Sequence, residues 1–408
     1  MNQSIEQVTS SSAVQSNPVA TIAIAQLLGT SLWFSANSAA PDLMRAWGIG
    51  LSGIGLLTNA VQLGFILGTS AVALSGLADR FAASRIFLVS ALAGATFNAC
   101  FAWFSHGLTS AAIFRFLVGL SLAGIYPIGM KLVVSWAPER TGAALAYLVG
   151  MLTLGTALPQ AVRFLGAQWK WQAVILSSSA LALTGAALIF ALGDGPHLPT
   201  RRKGQPMRMG SVIGAFASRE LRAAALGYFG HMWELYAFWT LVPVIVRTSL
   251  HLDIFERRVS GLAFLVIAMG ALGCITGGIL SRRVGSVRVA ASSLILSGLC
   301  CLIVGAGGRE LSEKTFLATL LVWGAAVVAD SPQFSALSAK AAPTNLVGGV
   351  LAFQNSIGFA ITIVSIAIAT SLFTRLGLNV AWVLLPGPIL GLIGFYPLCE
   401  EARRGYSV

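Results

Sequence analysis

Three ionisable side chains lie deep inside long apolar segments of this sequence: His231, Glu234 and Asp330. His231 and Glu234 share one segment at spacing i, i+3, which places both on one face of a helix. A carboxyl or imidazole group in such surroundings can take up and release a proton. Ionisable residues inside a membrane are rare and mark ion or substrate pathways. The alternative is a buried hydrogen-bonded pair with a structural role only.

A fourth charged side chain, Arg115, belongs to a segment whose centre lies near residue 123. At 1.5 Å per residue it would lie about 12 Å from that centre, so its guanidinium could instead reach the nearest membrane surface. Asp330 precedes Ser331 and Pro332, and a proline removes a backbone donor and predicts a kink with free carbonyl groups. We predict that His231, Glu234 and Asp330 take part in proton coupling.

Uncharged polar and aromatic side chains in the middle of several segments could line a substrate cavity. These candidates are Trp33, Asn37, Asn59, Gln62, Tyr126, Tyr236, Trp239, Gln333, Gln354 and Asn355. Amide side chains inside helical bundles often serve as hydrogen bonds between helices, so each amide is also a candidate structural contact. The aromatic rings could stack on a lipophilic or cationic solute.

The elements that must position these residues are long apolar segments. The hydrophobic fraction is 56%, the charged fraction is 10% and the mean hydropathy is +0.81, far from the balance of a soluble globular chain. About 20 apolar residues are needed to cross a hydrocarbon core of about 30 Å. Twelve such segments are predicted, at 18–40, 53–75, 86–104, 110–136, 143–166, 172–193, 221–246, 259–281, 287–306, 315–341, 347–373 and 380–399.

The two halves of the chain resemble each other at an offset of about 203 residues. Gly29 and Gly230 lie 201 positions apart, inside the first segment of each half. Pro41 and Pro243 lie 202 positions apart, and we predict that they end those segments. Repeated bundles place a pseudo-symmetric interface at the bilayer midplane, where secondary transporters hold their substrate. The expected fold is an all-α membrane protein with twelve transmembrane helices in two pseudo-symmetric six-helix bundles.

Polar intervals divide the chain. Residues 1–17 lack the features of a signal peptide and are predicted to be a disordered cytoplasmic tail. The interval 194–220 is rich in Pro, Gly and Arg and is predicted to be a cytoplasmic linker between bundles at 18–193 and 221–408. With the N-terminus inside, sixteen Lys and Arg residues lie on the cytoplasmic side and nine on the outer side. The positive-inside rule therefore favours cytoplasmic termini.

Two charged loops occupy equivalent places in the two halves. The loop after the second segment runs Ser75-Gly-Leu-Ala-Asp79-Arg80, with Arg85 beyond it. The second half carries Gly278-Ile-Leu-Ser-Arg282-Arg283 at an offset of 203 residues. With six plus six segments and a long central loop, this pattern resembles the major facilitator superfamily. The motif Arg115-Phe-Leu-Val-Gly119 resembles a second signature of that family.

The resemblance implies roles for these charges. In the family the loop between the second and third helices latches the two halves in one access state, and the arginine motif of the fourth helix is tied to proton coupling. The gating residues implied here are Asp79, Arg80, Arg85, Arg282 and Arg283. The alternative is a loop that only sets orientation through its positive charge. An aspartate there could accept hydrogen bonds from amides at a helix N-terminus.

Two longer strings narrow the resemblance to a branch. Gly230-His-Met-Trp-Glu-Leu-Tyr-Ala-Phe-Trp and Leu32-Trp-Phe-Ser-Ala-Asn are similar to bacterial nitrate/nitrite-type or cyanate-type porters. Nitrate porters hold their anion with arginines in the second and eighth helices, where this chain offers Asn59, Gln62 and no charge. Nitrate itself is therefore not the expected substrate. The resemblance implies a carrier of the bacterial inner membrane.

The expected function is secondary active transport of a small solute by alternating access, driven by protons, by a monomer in the lipid bilayer. One alternative is a multidrug-like proton antiporter that exports lipophilic compounds, and another is a non-transporting membrane receptor. No phosphate-binding Gly-rich motif, nucleophile–base motif or metalloprotease motif appears, so neither ATP-driven pumping nor an enzyme is expected. The five cysteines lack metal-ligand spacing. We expect no cofactor, no metal and no nucleic-acid partner.

Overall fold

The protein is represented by a computed structural model that describes residues 17–197, 209–253, 255–308, 310–344 and 346–404, without the side chains of residues 79 and 140–143. The predicted tail at 1–17 therefore falls almost wholly outside the described residues, and so do the central part of the predicted linker and the last four residues of the chain.

The N-terminal half consists of helices joined by short connections. They are α1 (Pro18–Thr30), α2 (Ser35–Ser38), α3 (Ala40–Trp47), α4 (Leu51–Ser75), α5 (Leu77–Arg80), α6 (Ala83–Phe104), α7 (Leu108–Leu122), α8 (Tyr126–Trp136), α9 (Thr141–Leu165) and α10 (Trp171–Leu192). A short 3₁₀ turn, Pro138–Arg140, precedes α9.

The C-terminal half has a similar series of helices. They are α11 (Met209–Ala215), α12 (Arg219–Ser249), α13 (Arg257–Val284), α14 (Ser286–Gly307), α15 (Glu313–Ala329), α16 (Ser331–Ala341), α17 (Val347–Leu376), α18 (Ala381–Leu384) and α19 (Pro386–Arg403). A 3₁₀ turn, Gly377–Val380, follows α17. The described residues form helices and connecting turns but no strand, which confirms the all-α prediction.

The surface of the molecule is apolar and several charges are inside. Leu165, Phe190 and Leu390 are 80%, 69% and 64% exposed, whereas Arg115 is completely buried. This inverts the usual distribution of a soluble protein and suits a chain surrounded by lipid. The described residues contain nine helical stretches long and apolar enough to cross a membrane. The count of twelve spans stays a prediction.

The internal repeat is visible in a close helix–helix contact that occurs at equivalent positions in both halves. Gly119 of α7 packs against Val61 of α4, and a Cβ added to this glycine would lie 2.1 Å from the Val61 carbonyl oxygen. Equivalent packing joins Gly324 of α15 to Val266 of α13, where an added Cβ would lie 2.0 Å from the Val266 carbonyl oxygen. Both residues of the second contact lie 205 positions after those of the first. Close backbone approach at small residues is typical of membrane helix packing.

The halves differ in their first helix. In the N-terminal half that helix is interrupted between Thr30 and Ser35 and continues as α2 and α3, whereas α12 is continuous over 31 residues. Pro41 lies in the first turn of α3 and Pro243 lies inside α12. The prediction that these prolines end their segments is therefore wrong. Membrane helices tolerate an internal proline because neighbouring helices and side chains satisfy the freed carbonyl groups.

A second interruption occurs in both halves. α7 ends at Leu122 and α8 begins at Tyr126, one residue before Pro127. α15 ends at Ala329 and α16 begins at Ser331, one residue before Pro332. Proline is favoured in the first turn of a helix, where its missing N–H would be unpaired anyway. The kink predicted at Pro332 therefore corresponds to a break between two helices.

Candidate functional site

Aromatic rings from both halves meet between them, and we call this group the central aromatic cluster. Its members are Trp33, Phe34, Phe65, Tyr236, Trp239 and Phe359. Trp33 stacks on Phe359 with ring centroids 5.7 Å apart, and its ring is also 5.7 Å from that of Tyr236. All of these side chains are buried. The rings therefore fill the space between the halves in this conformation.

Two hydrogen-bond donors at this cluster have no partner among the described residues. Trp33 Nε1 donates to Gln62 Oε1 at 3.2 Å, and Gln62 Nε2 is left unpaired. Trp239 Nε1 is also buried without a partner. Since buried donors are normally satisfied, these are two places where an oxygen of a bound solute could accept a hydrogen bond. Trp33, Gln62, Tyr236 and Trp239 are thus predicted cavity residues that the structure brings together.

Two further predicted cavity residues, Asn59 and Asn37, have hydrogen-bond partners in the protein. Asn59 Nδ2 donates to the carbonyl oxygen of Ile363 at 3.0 Å, which joins α4 to α17 across the halves. Asn37 Nδ2 donates to Thr58 Oγ1 at 2.9 Å within the N-terminal half. Asn59 therefore has the interhelical role that was the alternative to ligand binding.

The remaining cavity candidates are not joined to the cluster by any described ring contact or hydrogen bond. Tyr126 is the half-buried first residue of α8, Gln333 is buried in α16, and Asn355 is half-buried in α17. Gln354 is fully buried, and neither atom of its amide has a partner among the described residues. Their predicted role as cavity residues stays a prediction.

Arg115 is bound entirely by neutral oxygens of the N-terminal half. Its NH1 group donates to Ser35 Oγ at 3.0 Å and to Asn98 Oδ1 at 3.1 Å. Its NH2 group donates to the carbonyl oxygens of Leu32, at 3.0 Å, and Trp33, at 2.5 Å. These carbonyls lie at the interruption after α1, where a helix end leaves carbonyl groups free. The guanidinium thus points into the bundle and holds the interruption in place instead of reaching a membrane surface.

Glu234 is buried in α12 and accepts three hydrogen bonds from side chains of the same half. Trp323 Nε1 donates to Oε1 at 2.6 Å, and Ser297 Oγ donates to Oε2 at 3.0 Å. The Cys301 thiol donates to Oε1 at 3.3 Å. Sequence reasoning missed these three donors because each belongs to an apolar helix more than sixty positions away in the chain. A Trp, a Ser and a Cys in such helices carry no signal of a shared carboxyl partner.

His231 contacts Asp330 and not Glu234, the acid that was predicted to share its helix face. Its Nδ1 lies 2.8 Å from Asp330 Oδ1, and both side chains are buried. This contact is an ion pair when the imidazole is protonated, and Nε2 has no partner among the described residues. Asp330 lies at the interruption between α15 and α16. The structure therefore joins two predicted proton-coupling residues and leaves Glu234 in separate surroundings.

The predicted gating charges lie at the exposed end of the molecule. Arg80, Arg85, Arg282 and Arg283 are exposed, and none forms an ion pair within the described part of the chain. The side chain of Asp79 lies outside the described residues. Its predicted latch role stays a prediction.

An acid that sequence reasoning did not select occupies a helix start near this loop. Asp194 Oδ1 accepts a hydrogen bond from the backbone amide of Ser84 at 2.7 Å, in the first turn of α6. An acidic side chain at a helix N-terminus satisfies a free amide and complements the helix dipole. The start of the predicted linker is therefore attached to the N-terminal half. The spacing of 110 residues between donor and acceptor explains why no local pattern reveals this contact.

A cleft opens between the halves near the ends of α3 and α12, and we call it the outer cleft. It is lined by Asn37, Ser38, Ala40, Pro41, Met44, Leu51, Ile54, Gln160, Thr240, Pro243, Val244, Arg247, Val259 and Ser260. In the predicted orientation this cleft faces away from the cytoplasm. Thr240 directly follows Trp239 in α12, so the inner end of the cleft adjoins the central aromatic cluster.

Within the described residues no group of three or more His, Cys, Asp or Glu side chains is arranged to hold a metal ion. The chemistry offered by these residues is hydrogen bonding, ring stacking and proton exchange between buried acids and an imidazole.

Comparison with known proteins gives a family match over most of the chain. The profile described as "Major Facilitator Superfamily" matches residues 22–366. In fold, the chain is similar to the nucleoside transporter NupG, with a TM-score of 0.71, 13% identity and coverage of 94% of this chain and 99% of that one. At that identity the likeness concerns the fold alone.

Among curated proteins, the chain is similar to the 4-hydroxybenzoate transporter PcaK of Acinetobacter baylyi, at 26% identity over 364 residues, which are 78% of this chain and 76% of that protein. It is also similar to the gallate transporter of Pseudomonas putida, at 24% identity over 313 residues and 67% of each chain. A shorter match, 35% identical over 127 residues, covers 30% of this chain and 22% of solute carrier family 22 member 6-A of Xenopus laevis.

Proposed function

This chain belongs to the Major Facilitator Superfamily, and from that premise we propose that it is a proton-coupled carrier of a small organic acid with a flat ring. It is a multi-pass membrane protein that transports a small solute, not an enzyme. We further propose a monomer in a bacterial inner membrane with both termini in the cytoplasm, because the basic residues favour that orientation.

The proposed mechanism is alternating access around the central aromatic cluster. This cluster takes three rings from each half, so relative movement of the halves would separate Trp33 from Phe359 and open a space between them. The outer cleft leads to the cluster from one side. Rigid halves that rock about a site at their interface are the usual basis of alternating access in repeat-built carriers.

Proton coupling is assigned to the buried acids of the C-terminal half. The observation that carries this assignment is the contact of 2.8 Å between His231 and Asp330, with both side chains buried. A neutral imidazole beside a carboxylate has a net charge of −1. Uptake of one proton, on Nδ1 or on the carboxyl oxygen, makes the pair neutral and removes the cost of a buried charge. Because Asp330 lies at the interruption before α16, this change can be linked to helix movement.

Glu234 is the second proposed proton site, with a different environment. Its carboxyl group accepts hydrogen bonds from Trp323, Ser297 and Cys301, and hydrogen bonds to a carboxylate stabilise its charged form. We propose that Glu234 exchanges its proton when movement of α14 and α15 changes these contacts. Arg115 has no titratable partner among its described contacts, so we assign it a positioning role.

The substrate proposal rests on the relatives and on the cluster together. Two relatives are named for 4-hydroxybenzoate and gallate, and others for tartrate. The unpaired donors of Gln62 and Trp239 could bind oxygens of a ring substituent, while neighbouring rings stack on its face. The resemblance to nitrate-, nitrite- or cyanate-type porters stays a prediction about the branch, since none of the relatives reported above carries such a name.

A second candidate is the export of lipophilic cations. The observation that favours it is the combination of six rings in the central aromatic cluster with buried carboxyl groups nearby in sequence, since aromatic faces attract organic cations. The two candidates differ in the sign of the substrate charge and in its direction relative to the proton.

The test uses purified protein in liposomes with an imposed pH gradient, acidic outside. Labelled 4-hydroxybenzoate, gallate and tartrate are offered one at a time. We expect accumulation of 4-hydroxybenzoate or gallate that collapses when a protonophore is added, and no accumulation of tartrate, which has no ring. Counterflow without a gradient separates a carrier from a receptor, which would show none. Export of tetraphenylphosphonium against the gradient, with no movement of any acid, would contradict the proposal and support the antiporter.

A further inference from the structure

We propose that the outer cleft is a capture site for carboxylate anions, with Arg247 as the group that binds the carboxylate before the solute reaches the central aromatic cluster. The inference rests on the proposed function only for the identity of the cargo. The capture site itself is argued from the charge, burial and hydrogen bonding of the residues that line the cleft.

Among the residues that line the cleft, only Arg247 carries a charge. Arg247 lies in the last turn of α12 and is half-buried. Its guanidinium forms no ion pair and donates no hydrogen bond within the described residues, including to the carbonyl groups at the end of its own helix. No Asp or Glu lines the cleft. A partly desolvated guanidinium with five free donors and no counter-ion matches a carboxylate in both geometry and charge.

The acid nearest to the cleft in sequence already has a partner. Asp42, which follows the cleft residue Pro41, forms an ion pair with Arg163 at 2.7 Å. Arg45 lies over the ring of Phe255 at 3.7 Å. Asp42 is therefore bound by Arg163 and does not compete with an anionic ligand for Arg247, whereas Arg45 keeps its positive charge and adds to the attraction of an anion.

A second, independent observation points to a polar ligand. Gln160 of α9 is only 3% exposed, lines the cleft and makes no hydrogen bond to any described residue. Its amide can therefore donate to and accept from a bound molecule. Ser260, from the opposite half, also lines the cleft with its hydroxyl unpaired in the described structure. A buried polar side chain normally has a partner, so an occupant of the cleft would satisfy Gln160.

The position of the cleft makes capture a separate stage from binding at the cluster. Arg247 lies eight residues after Trp239 in one continuous helix, or about 12 Å along its axis. A solute that enters through the cleft therefore meets the guanidinium of Arg247 before it meets the rings of the cluster. In this proposal the solute is first held by its carboxylate and passes to the rings and unpaired donors when the halves move.

The test measures occupancy of the cleft directly. Ser260→Cys places a thiol in the cleft, and its reaction with a membrane-impermeant maleimide is followed in the purified protein, with the unsubstituted chain giving the background from its own cysteines. The probes are benzoate and benzamide, which share a ring but differ in charge. We expect benzoate to slow labelling, with little effect of benzamide at the same concentration.

The role of Arg247 is tested in the same background. Ser260→Cys with Arg247→Gln should raise the benzoate concentration that halves the labelling rate by about tenfold, because a charged hydrogen bond is lost. Arg247→Lys keeps the charge and should retain part of the protection. The matched control, Arg375→Gln, removes an exposed arginine that does not line the cleft and should change nothing.

Equal protection by benzoate and benzamide would overturn the inference, and so would unchanged benzoate protection after Arg247→Gln. Loss of protection in the Arg375→Gln control as well would also overturn it, because the effect would then be one of general surface charge. The proposed function fails separately: if liposomes accumulate no organic acid while benzoate still protects the thiol, the capture site stands and the carrier assignment falls. If liposomes accumulate an acid with no protection at the thiol, the carrier stands and the capture site falls.

Discussion

The two halves of this protein bury opposite charges in related frameworks. In the N-terminal half, Asn98 of α6 accepts a hydrogen bond from Arg115. Cys301 of α14, 203 positions later, donates to Glu234. The same place on the third long helix of each half therefore supports a cation in one case and an acid in the other. The repeat preserves the packing of the backbone, while the polar contents of the two halves have diverged.

The divergence separates a fixed charge from exchangeable ones. A guanidinium keeps its proton under all ordinary conditions, and Arg115 holds carbonyl groups at the interruption after α1. Carboxyl and imidazole groups exchange protons, and His231, Glu234 and Asp330 all belong to the C-terminal half. We infer that the N-terminal half provides a stable frame and the C-terminal half provides the groups that respond to protons.

The largest effect is expected from Arg115→Leu. The substitution removes the guanidinium hydrogen bonds to the carbonyl oxygens of Leu32 and Trp33 and to Asn98 Oδ1, and only the single hydroxyl hydrogen of Ser35 remains for Leu32 and Asn98. We expect the change to lower the free energy of unfolding by about 4 kcal/mol. Thermal unfolding in detergent measures this loss. Arg85→Leu, which removes an exposed arginine of the same half, should cost about 0.5 kcal/mol or less. Equal losses of unfolding free energy in the two variants would contradict the role of Arg115 in holding the interruption after α1.

An intermediate effect is expected at the two close approaches, and here the halves should behave alike. Gly119→Ala and Gly324→Ala each force a methyl group against a backbone carbonyl oxygen, and we expect each to lower the free energy of unfolding by about 2 kcal/mol. Gly348→Ala in α17 is the matched control because no atom lies within 4 Å of its added Cβ. A large loss in one half with none in the other would show that the shared frame is not equally important in both.

The smallest change in free energy is expected from substitution of the buried acids Asp330 and Glu234. These substitutions test whether proton coupling belongs to the C-terminal half. Coupling to one proton lets a pH difference of one unit, or 1.36 kcal/mol, support about tenfold accumulation. Asp330→Asn and Glu234→Gln should abolish this accumulation in liposomes and preserve exchange of labelled for unlabelled substrate. Glu310→Gln, at an exposed acid of the same half, is the control. Wild-type accumulation in both buried-acid variants would make these groups structural and remove the proposed difference.

Much of the fold could be predicted from the sequence because its signals are local or periodic. A segment such as 86–104 is apolar over its whole length, and the structure forms α6 there, from Ala83 to Phe104. The repeat was also visible, since pairs such as Gly29 and Gly230 recur at a nearly constant offset. The prediction that Pro41 and Pro243 end their segments was wrong because the effect of a proline depends on its surroundings. Pro243 remains inside α12, since neighbouring helices can satisfy the carbonyl group that a proline frees inside a membrane helix.

The sequence by itself determined that this is a duplicated bundle of apolar helices with rare ionisable groups inside it, because composition, segment length and repeat offset are properties of the chain alone. Only the tertiary structure decided which groups meet. Residues three apart on a helix differ by about 60° in direction, and that difference is enough for His231 to face Asp330 while Glu234 faces Trp323. These partners lie about 90 to 100 positions away, and their approach depends on how neighbouring helices are rotated and spaced. That spacing is set by backbone contacts such as Gly324 with Val266, which no local pattern of residues encodes.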